Sequence, residues 1–148
     1  MSGVRRILVD ADACPVREIV VQEAKTRGIP VVMVCDTCHE ISDGYSTVVI
    51  VDKARDSADL RMANLMRPGD LAVTQDYGVA AMALGRGCLA LHQNGMEYTG
   101  ENIDRLLFER HLGQKARRAG KRSAAVKKRT AGDDEAFRAA LCRLLQQD

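Results

Sequence analysis

The sequence predicts an α/β fold in which helices cover both faces of a mostly parallel, five-stranded sheet. Short apolar runs alternate with helical patterns along the chain, which is the order expected of parallel strands joined by crossover helices. The chain has 148 residues, enough for one domain, and 46% of them are hydrophobic, as in an ordinary globular core. We therefore expect a three-layer α/β/α arrangement in a single domain spanning residues 1–148.

Five apolar runs are predicted to form the sheet. They consist mainly of Val, Leu, Ile and Ala without polar alternation, as expected of strands that are buried on both faces. The predicted strands span residues 6–10, 30–35, 47–52, 70–74 and 88–91. We expect the strand order 3-2-1-4-5, in which strand one lies beside strand four and the direction of strand addition reverses between them.

Five helices are predicted around these strands, from apolar residues that recur at three- and four-residue intervals. Pro15 suits the first turn of the first helix, and Gly28 ends it. Thr99 is a suitable N-cap for the fourth helix, and Asp133 or Asp134 for the fifth. The second, third and C-terminal helices are expected at about 57–66, 78–84 and 133–147.

The composition predicts a cytoplasmic protein. No apolar stretch approaches the ~20 residues of a membrane span, so a membrane is not an expected partner. Asp10 interrupts the first apolar run, so no signal peptide is predicted. The five cysteines are odd in number and irregularly spaced, which favours reduced thiols over a disulfide framework. Aromatic residues make up only 3% of the chain, so a base-stacking surface is not expected.

A basic segment at 113–130 predicts a polyanionic partner. Eight of the 22 basic residues lie in it, whereas all 20 acidic residues lie elsewhere. Such a concentration of one sign of charge favours binding to the phosphates of RNA or another polyanion, although a solvated linker is the alternative. The predicted nucleic-acid-binding residues are Lys115, Arg117, Arg118, Lys121, Arg122, Lys127, Lys128 and Arg129.

Acidic residues follow two of the predicted strands. Asp10 and Asp12 end strand one, and Asp76 comes shortly after strand four. Ligands of open parallel sheets bind outside the carboxyl ends of the strands, so these carboxylates are expected to converge. Converging carboxylates repel one another unless a cation lies between them. Ligation by oxygen alone favours Mg²⁺ or Mn²⁺.

Asp59 is a third candidate ligand, from the second helix. It shares a helical face with the apolar residues Met62, Ala63 and Met66, which indicates that it points inward. The alternative is a capping box in which Asp56 is the N-cap and Asp59 is the third helical residue. The local sequence favours neither interpretation over the other.

Several sequence blocks resemble the YaiI/YqxD family of uncharacterised bacterial proteins. They read VDADACPV at 9–16, DSAD at 56–59, GDLAVTQDYG at 69–78, YTGENID at 98–104 and RRAGKR at 117–122. The resemblance covers nearly the whole chain and implies a PIN-like fold, similar to nucleases that bind Mg²⁺ or Mn²⁺ through clustered acids and cut RNA. It implies catalytic roles for Asp10, Asp59 and Asp76, with Asp12 as a further metal ligand and Thr74 as the hydroxyl residue before the last acid.

The function expected from this resemblance is that of a divalent-metal-dependent ribonuclease or an RNA-binding protein. One alternative is a non-catalytic nucleic-acid-binding module. Another is a metal-dependent small-molecule phosphatase of the haloacid-dehalogenase type, with Asp10 as nucleophile and Asp12 as acid/base. Against the phosphatase, Asp70 precedes strand four and should lie at the opposite sheet edge from Asp76, and Cys14 occupies the position of an expected hydroxyl residue.

Overall fold

A computed structural model describes residues 3–12, 14–36, 43–52, 58–120 and 128–146, and within these it contains six strands and five helices. In chain order they are β1 (Ile7–Asp10), α1 (Arg17–Arg27), β2 (Val31–Cys35), β3 (Thr47–Ile50), α2 (Ala58–Leu65), β4 (Leu71–Val73), α3 (Tyr77–Gly85), β5 (Leu89–Leu91), β6 (Glu97–Tyr98), α4 (Gly100–Arg118) and α5 (Ala131–Leu145).

The strands form one sheet in the order β3-β2-β1-β4-β5-β6. The first five are parallel, so the predicted order 3-2-1-4-5 is confirmed. The prediction of five strands is wrong by one, because β6 adds antiparallel to β5 with Tyr98 opposite Ala90. A two-residue strand is too short to give a periodic pattern.

At the turn before β6, Gly95 has a φ of 94°, and a Cβ there would lie 2.7 Å from the carbonyl oxygen of Ala136 in α5.

Helices cover both faces of the sheet, as predicted, because successive strand residues point to opposite sides. In β1, Ile7 and Val9 pack in one core with α1 and α5, whereas Leu8 packs in a second core with α2, α3 and α4. All three side chains are fully buried. The mostly parallel sheet with helices on both faces is therefore the three-layer α/β/α architecture expected from the sequence.

The beginnings of two helices differ from the predictions. α1 begins at Arg17 with Val16 as its N-cap, so Pro15 precedes the helix and does not lie in its first turn. α5 is capped by Thr130 and not by Asp133 or Asp134, because the Thr130 hydroxyl accepts from the Asp133 amide at 3.3 Å and the Asp133 carboxylate accepts from the Thr130 amide at 2.8 Å. This reciprocal pair is a capping box. α4 continues through Arg118, so the beginning of the basic segment is helical.

A buried ion pair lies at the amino edge of the sheet. Asp70, whose side chain is 2% exposed, accepts hydrogen bonds at 3.1 Å from both Nε and Nη2 of Arg6. The Arg67 amide donates to the same carboxylate oxygen at 2.9 Å. Asp70 precedes β4 and Asp76 follows it, so the two acids lie at opposite edges of the sheet, as the sequence predicted.

One prediction about the cysteines is wrong. Cys35 at the end of β2 is disulfide-bonded, whereas Cys14, Cys88 and Cys142 are free thiols. An odd number of irregularly spaced cysteines argues against a framework of several disulfides, but it does not exclude a single one. In the described part of the chain, no helix combines the length and apolar character needed to cross a membrane.

Candidate metal centre

The carboxyl ends of β1, β2 and β4 open into a pocket of about 440 Å³. The structure brings all four predicted metal ligands into its lining. α2 and α4 complete the wall, each with one charged side chain. The lining residues are Asp10, Asp12, Asp36, Asp59, Gln75, Asp76, Tyr77 and Arg110.

Thr74 joins the acids of two strands. Its hydroxyl, buried with the rest of the residue, donates to Asp10 Oδ2 at 2.9 Å and accepts from the Asp76 amide at 3.0 Å. Burial raises the pKa of Asp10 to about 6, and repulsion from Asp59, Asp76 and Asp12 adds to the shift, while the Thr74 hydrogen bond opposes it. The ionised form of Asp10 is therefore destabilised by its surroundings.

Asp76 has two roles in the structure. As the N-cap of α3, its Oδ1 accepts from the amides of Gly78 at 2.8 Å and Val79 at 3.3 Å. The same oxygen lies 3.4 Å from Nη1 of Arg110 in α4. The helix cap fixes the carboxylate at the mouth of the pocket, because the two amides hold it in one orientation.

Asp59 lies in the first turn of α2 and faces Asp76. Burial raises the pKa of Asp59, and the neighbouring charge of Asp76 and a carboxyl–carboxylate hydrogen bond between the two raise it further. Met62 and Met66 on the same helix are buried, as predicted, whereas Asp59 itself is exposed and lines the pocket from the end of the helix. The alternative capping partner Asp56 lies outside the described residues.

Asp12 joins the chain after β1 to the chain after β2 in the pocket lining. Its Oδ2 accepts from the backbone amide of Asp36, which follows β2, at 3.0 Å. Asp36 itself was missed by sequence reasoning, although it follows a predicted strand as Asp10 does. Arg110 was also missed, and the signal for it was its position seven residues after Ile103, on the apolar face of α4.

Comparison with known proteins assigns the chain to a family. A profile of the uncharacterised YaiI/YqxD family matches residues 8–147. The chain belongs to the YaiI/YqxD family. The UPF0178 protein of Ruminiclostridium cellulolyticum is 59% identical to it over 143 residues, which cover 97% of this chain and 94% of the relative. The UPF0178 protein of Clostridium acetobutylicum is 49% identical over 144 residues, which cover 96% and 97% of the two chains.

A third relative, the UPF0178 protein of Alkaliphilus oremlandii, is 49% identical over 97% of this chain and 92% of its own length. No significant match to a solved structure was found. The resemblance inferred from the sequence blocks is thus confirmed as family membership. The names of these relatives state no activity, so the chemistry of this YaiI/YqxD protein is argued from its pocket.

The pocket of this YaiI/YqxD protein has the donor set of a Mg²⁺ or Mn²⁺ site, because its acids offer carboxylate oxygens and no nitrogen or sulfur. Within the described ranges, no three acidic, His or Cys side chains are close enough to hold one ion as they stand. The Arg110 guanidinium, 3.4 Å from Asp76 Oδ1, compensates part of the charge instead. Metal binding would therefore require rotation of these side chains.

The predicted basic residues fall into three groups. Lys115, Arg117 and Arg118 form the exposed end of α4, and Lys128 is also exposed. Arg129 is instead engaged within the fold, since its Nε donates to Asp134 and its Nη2 to the carbonyl of Gln93, both at 2.8 Å. The remaining predicted residues Lys121, Arg122 and Lys127 lie outside the described residues.

Tyr98 supports the pocket from the core, and its substitution gives a first prediction. The buried Tyr98 hydroxyl donates to the backbone carbonyl of Thr74 at 3.0 Å. Tyr98→Phe is expected to lower the free energy of unfolding by about 1 kcal/mol, because it leaves that carbonyl without this donor. Urea denaturation measures the loss. Tyr45→Phe, which removes a hydroxyl bound to the Ile29 carbonyl, is the matched control and should give a similar loss. An unchanged midpoint for Tyr98→Phe would contradict the prediction.

Proposed function

We propose that this protein is a Mg²⁺- or Mn²⁺-dependent phosphodiesterase that cleaves RNA, with Asp10, Asp59 and Asp76 as the principal metal ligands. The observation that carries the proposal is the convergence of acids from β1, α2 and the loop after β4 in one pocket. Asp12 is a fourth ligand in this proposal. The pocket lies where strand addition reverses, between β1 and β4, which is the usual ligand site of open parallel sheets.

The charge of the pocket supports a cation. Five of the eight lining residues are aspartates, and Arg110 is the basic residue among them. Burial is the largest cause of the raised pKa values of Asp10 and Asp59, and the neighbouring negative charges raise them further. A divalent cation bound between the carboxylates would remove the repulsion, and the released free energy would contribute to its affinity.

The residues have distinct tasks in the proposed reaction. Asp10, Asp59 and Asp76 would hold the cation, which would supply an activated water and neutralise charge that develops on the phosphate. Thr74 holds the Asp10 carboxylate in position, and the α3 N-terminus holds Asp76. Tyr77 and Gln75 line the opening beside Asp76, where a phosphate group would enter. The exposed basic end of α4 supplies sequence-independent attraction for a polyanion.

RNA is favoured as substrate by the basic end of α4 and by the PIN-like fold that the family resemblance implies, which is an argument by analogy. The phosphatase alternative loses support, because Asp70 is held by Arg6 at the amino edge and cannot act beside Asp76. A non-catalytic nucleic-acid-binding module would use the same pocket and the same basic end of α4 to bind RNA without cleaving it. The experiment that tests the proposal must therefore separate metal binding from cleavage.

Calorimetric titration with Mn²⁺, followed by incubation of labelled RNA with the loaded protein, makes that separation. The parent protein is expected to bind Mn²⁺ and cleave RNA, and Asp76→Asn is expected to do neither while remaining folded, because Asn is also a good N-cap. Asp104→Asn, which removes one exposed carboxylate of α4, is the matched control and should behave like the parent. Binding without cleavage would support the non-catalytic module, and no binding at millimolar Mn²⁺ would refute the metal site.

A further inference from the structure

α4 extends well beyond the sheet that it covers. Its 19 residues span about 28 Å, whereas the three residues of β5 span about 10 Å. β6 runs antiparallel to β5, so α4 begins away from the carboxyl edge and returns toward it. Arg110 contacts Asp76 at that edge. The residues after Arg110 therefore rise past the mouth of the pocket.

One face of α4 changes its chemistry along the helix. Residues three and four apart share a face, so Ile103, Leu107, Arg110, Gln114 and Arg117 lie in one row. The first two pack in the core beneath α3 and α4. From Arg110 onward the row is polar and basic, and its first basic member, Arg110, lines the pocket.

Arg117 is directed back along this row. A Cβ built on Gly113 would lie 3.5 Å from Nη1 of Arg117, so the guanidinium lies over the preceding turn. Helical side chains generally lean toward the N-terminus in this way. The guanidinium of Arg117 is thus displaced along the helix toward the turn that follows Arg110. Glycine at position 113 leaves this space open, because it carries no side chain.

We propose that Arg110 and Arg117 form a phosphate-binding wall along which the substrate strand enters the pocket. The proposal rests on the function proposed above and deepens it, because it makes the substrate an oligonucleotide strand and not a single small phosphoester. Arg110 binds the phosphate next to the reacting one, and Arg117 binds a phosphate farther along the strand. Each guanidinium presents a planar fork that can donate two parallel hydrogen bonds to one phosphate, a geometry that the Lys ammonium does not offer.

Arg110 exchanges partners in this proposal. Its 3.4 Å contact with Asp76 involves a guanidinium whose side chain is 44% exposed, so the ion pair is a weak one. A cation bound to Asp76 competes for the carboxylate and leaves the guanidinium available to a phosphate. Loss of the Asp76 charge by substitution should have the same effect on Arg110. This equivalence allows the wall to be tested without metal and without turnover.

The test measures binding of a fluorescent single-stranded RNA in EDTA, by anisotropy over a range of salt concentrations. Asp76→Asn is expected to bind RNA about tenfold more tightly than the parent, because a carboxylate is removed and Arg110 is released. Adding Arg110→Ala or Arg117→Ala to Asp76→Asn should weaken binding and reduce the slope of log affinity against log salt by about 0.7 each. Arg110→Ala alone should have a smaller effect, since Asp76 already engages that arginine.

Arg105→Ala on the Asp76→Asn background is the matched control, because Arg105 is an exposed arginine of the same helix that pairs with Glu109 at 3.1 Å. It should leave affinity and salt slope unchanged. Unchanged binding in both the Arg110 and Arg117 variants, or a mononucleotide that competes as well as the oligonucleotide, would overturn the wall. Failure of the parent to bind Mn²⁺ or cleave RNA would overturn the proposed function instead, so the two failures are distinguishable.

Discussion

Replacing Asp70 by alanine is expected to lower the free energy of unfolding by about 3 kcal/mol. The substitution removes the carboxylate that accepts two hydrogen bonds from Arg6 and one from the Arg67 amide. Breaking a buried ion pair on one side typically costs about 3–5 kcal/mol, because the remaining charge loses its partner. The Arg6 side chain is 26% exposed and can regain some hydration, which places the expected loss at the lower end of that range.

Urea denaturation of the parent and of Asp70→Ala measures this loss. Glu109→Gln is the surface control, since it breaks the exposed pair with Arg105 and should change the stability by less than about 0.5 kcal/mol. The double variant with Arg6→Ala completes a cycle, in which the two losses should add to more than the loss of the double variant. Strictly additive losses would show that the two side chains do not interact as described.

Asp10→Asn is expected to stabilise the metal-free protein at neutral pH by about 2 kcal/mol. The folded protein raises the pKa of Asp10 to about 6, compared with about 3.9 in an unfolded chain. Each pKa unit corresponds to about 1.4 kcal/mol, and the partial exposure of the side chain reduces the full value. Asparagine keeps an oxygen that can accept from the Thr74 hydroxyl, so the substitution removes the charge and retains the contact.

The stability of the metal-free protein should depend on pH in a defined direction. Between about pH 4 and pH 6 the folded protein binds more protons at Asp10 than the unfolded chain does, so the stability falls as pH rises through this window. The gain from Asp10→Asn should therefore be absent at pH 4 and complete by about pH 7. The pKa of Asp59 is also raised, so Asp59 likewise makes the stability fall as pH rises. This contribution is present in both the parent and the variant.

Thermal denaturation in EDTA across pH 4–8 tests this expectation, with Asp104→Asn as the control for loss of one exposed carboxylate. If Asp10 is a metal ligand as proposed, Mn²⁺ should reverse the order of stability, because a ligand at 100 times its Kd stabilises the native state by about 2.7 kcal/mol and the variant lacks one ligand. A variant that is less stable than the parent at pH 8 in EDTA would show that the Asp10 charge supports the fold.

The main layers of the fold could be predicted because buried parallel strands leave unbroken apolar runs. The features that were not predicted have sequence signals that are short or that contain no apolar periodicity. β6 has two residues, and the last turns of α4 carry Lys115, Arg117 and Arg118, which give no apolar periodicity although they favour helix. The cap at Thr130 was readable in principle, because Thr130 and Asp133 have the spacing of a capping box.

The acids of the pocket could be anticipated because strand ends meet at one edge of a parallel sheet. The same rule applied to the end of β2 would also have indicated Asp36. Arg110 could not be found in this way, because its role depends on how far α4 rises past the sheet. A charge on an apolar helical face is a weak signal until the neighbouring element is known.

The two edges of the sheet have opposite effects on the stability of the fold. The Arg6–Asp70 pair at the amino edge contributes stability, while the crowded carboxylates at the carboxyl edge reduce it. On the proposed function, a mutational screen that scores only activity in cells would therefore identify positions at both edges as sensitive, although the amino edge lies away from the proposed metal site. Substitutions at Asp70 would lower the amount of folded protein, whereas the proposal expects those at Asp10 to leave abundant but inactive protein. Measuring soluble yield beside activity would sort the family's sensitive positions into these two kinds.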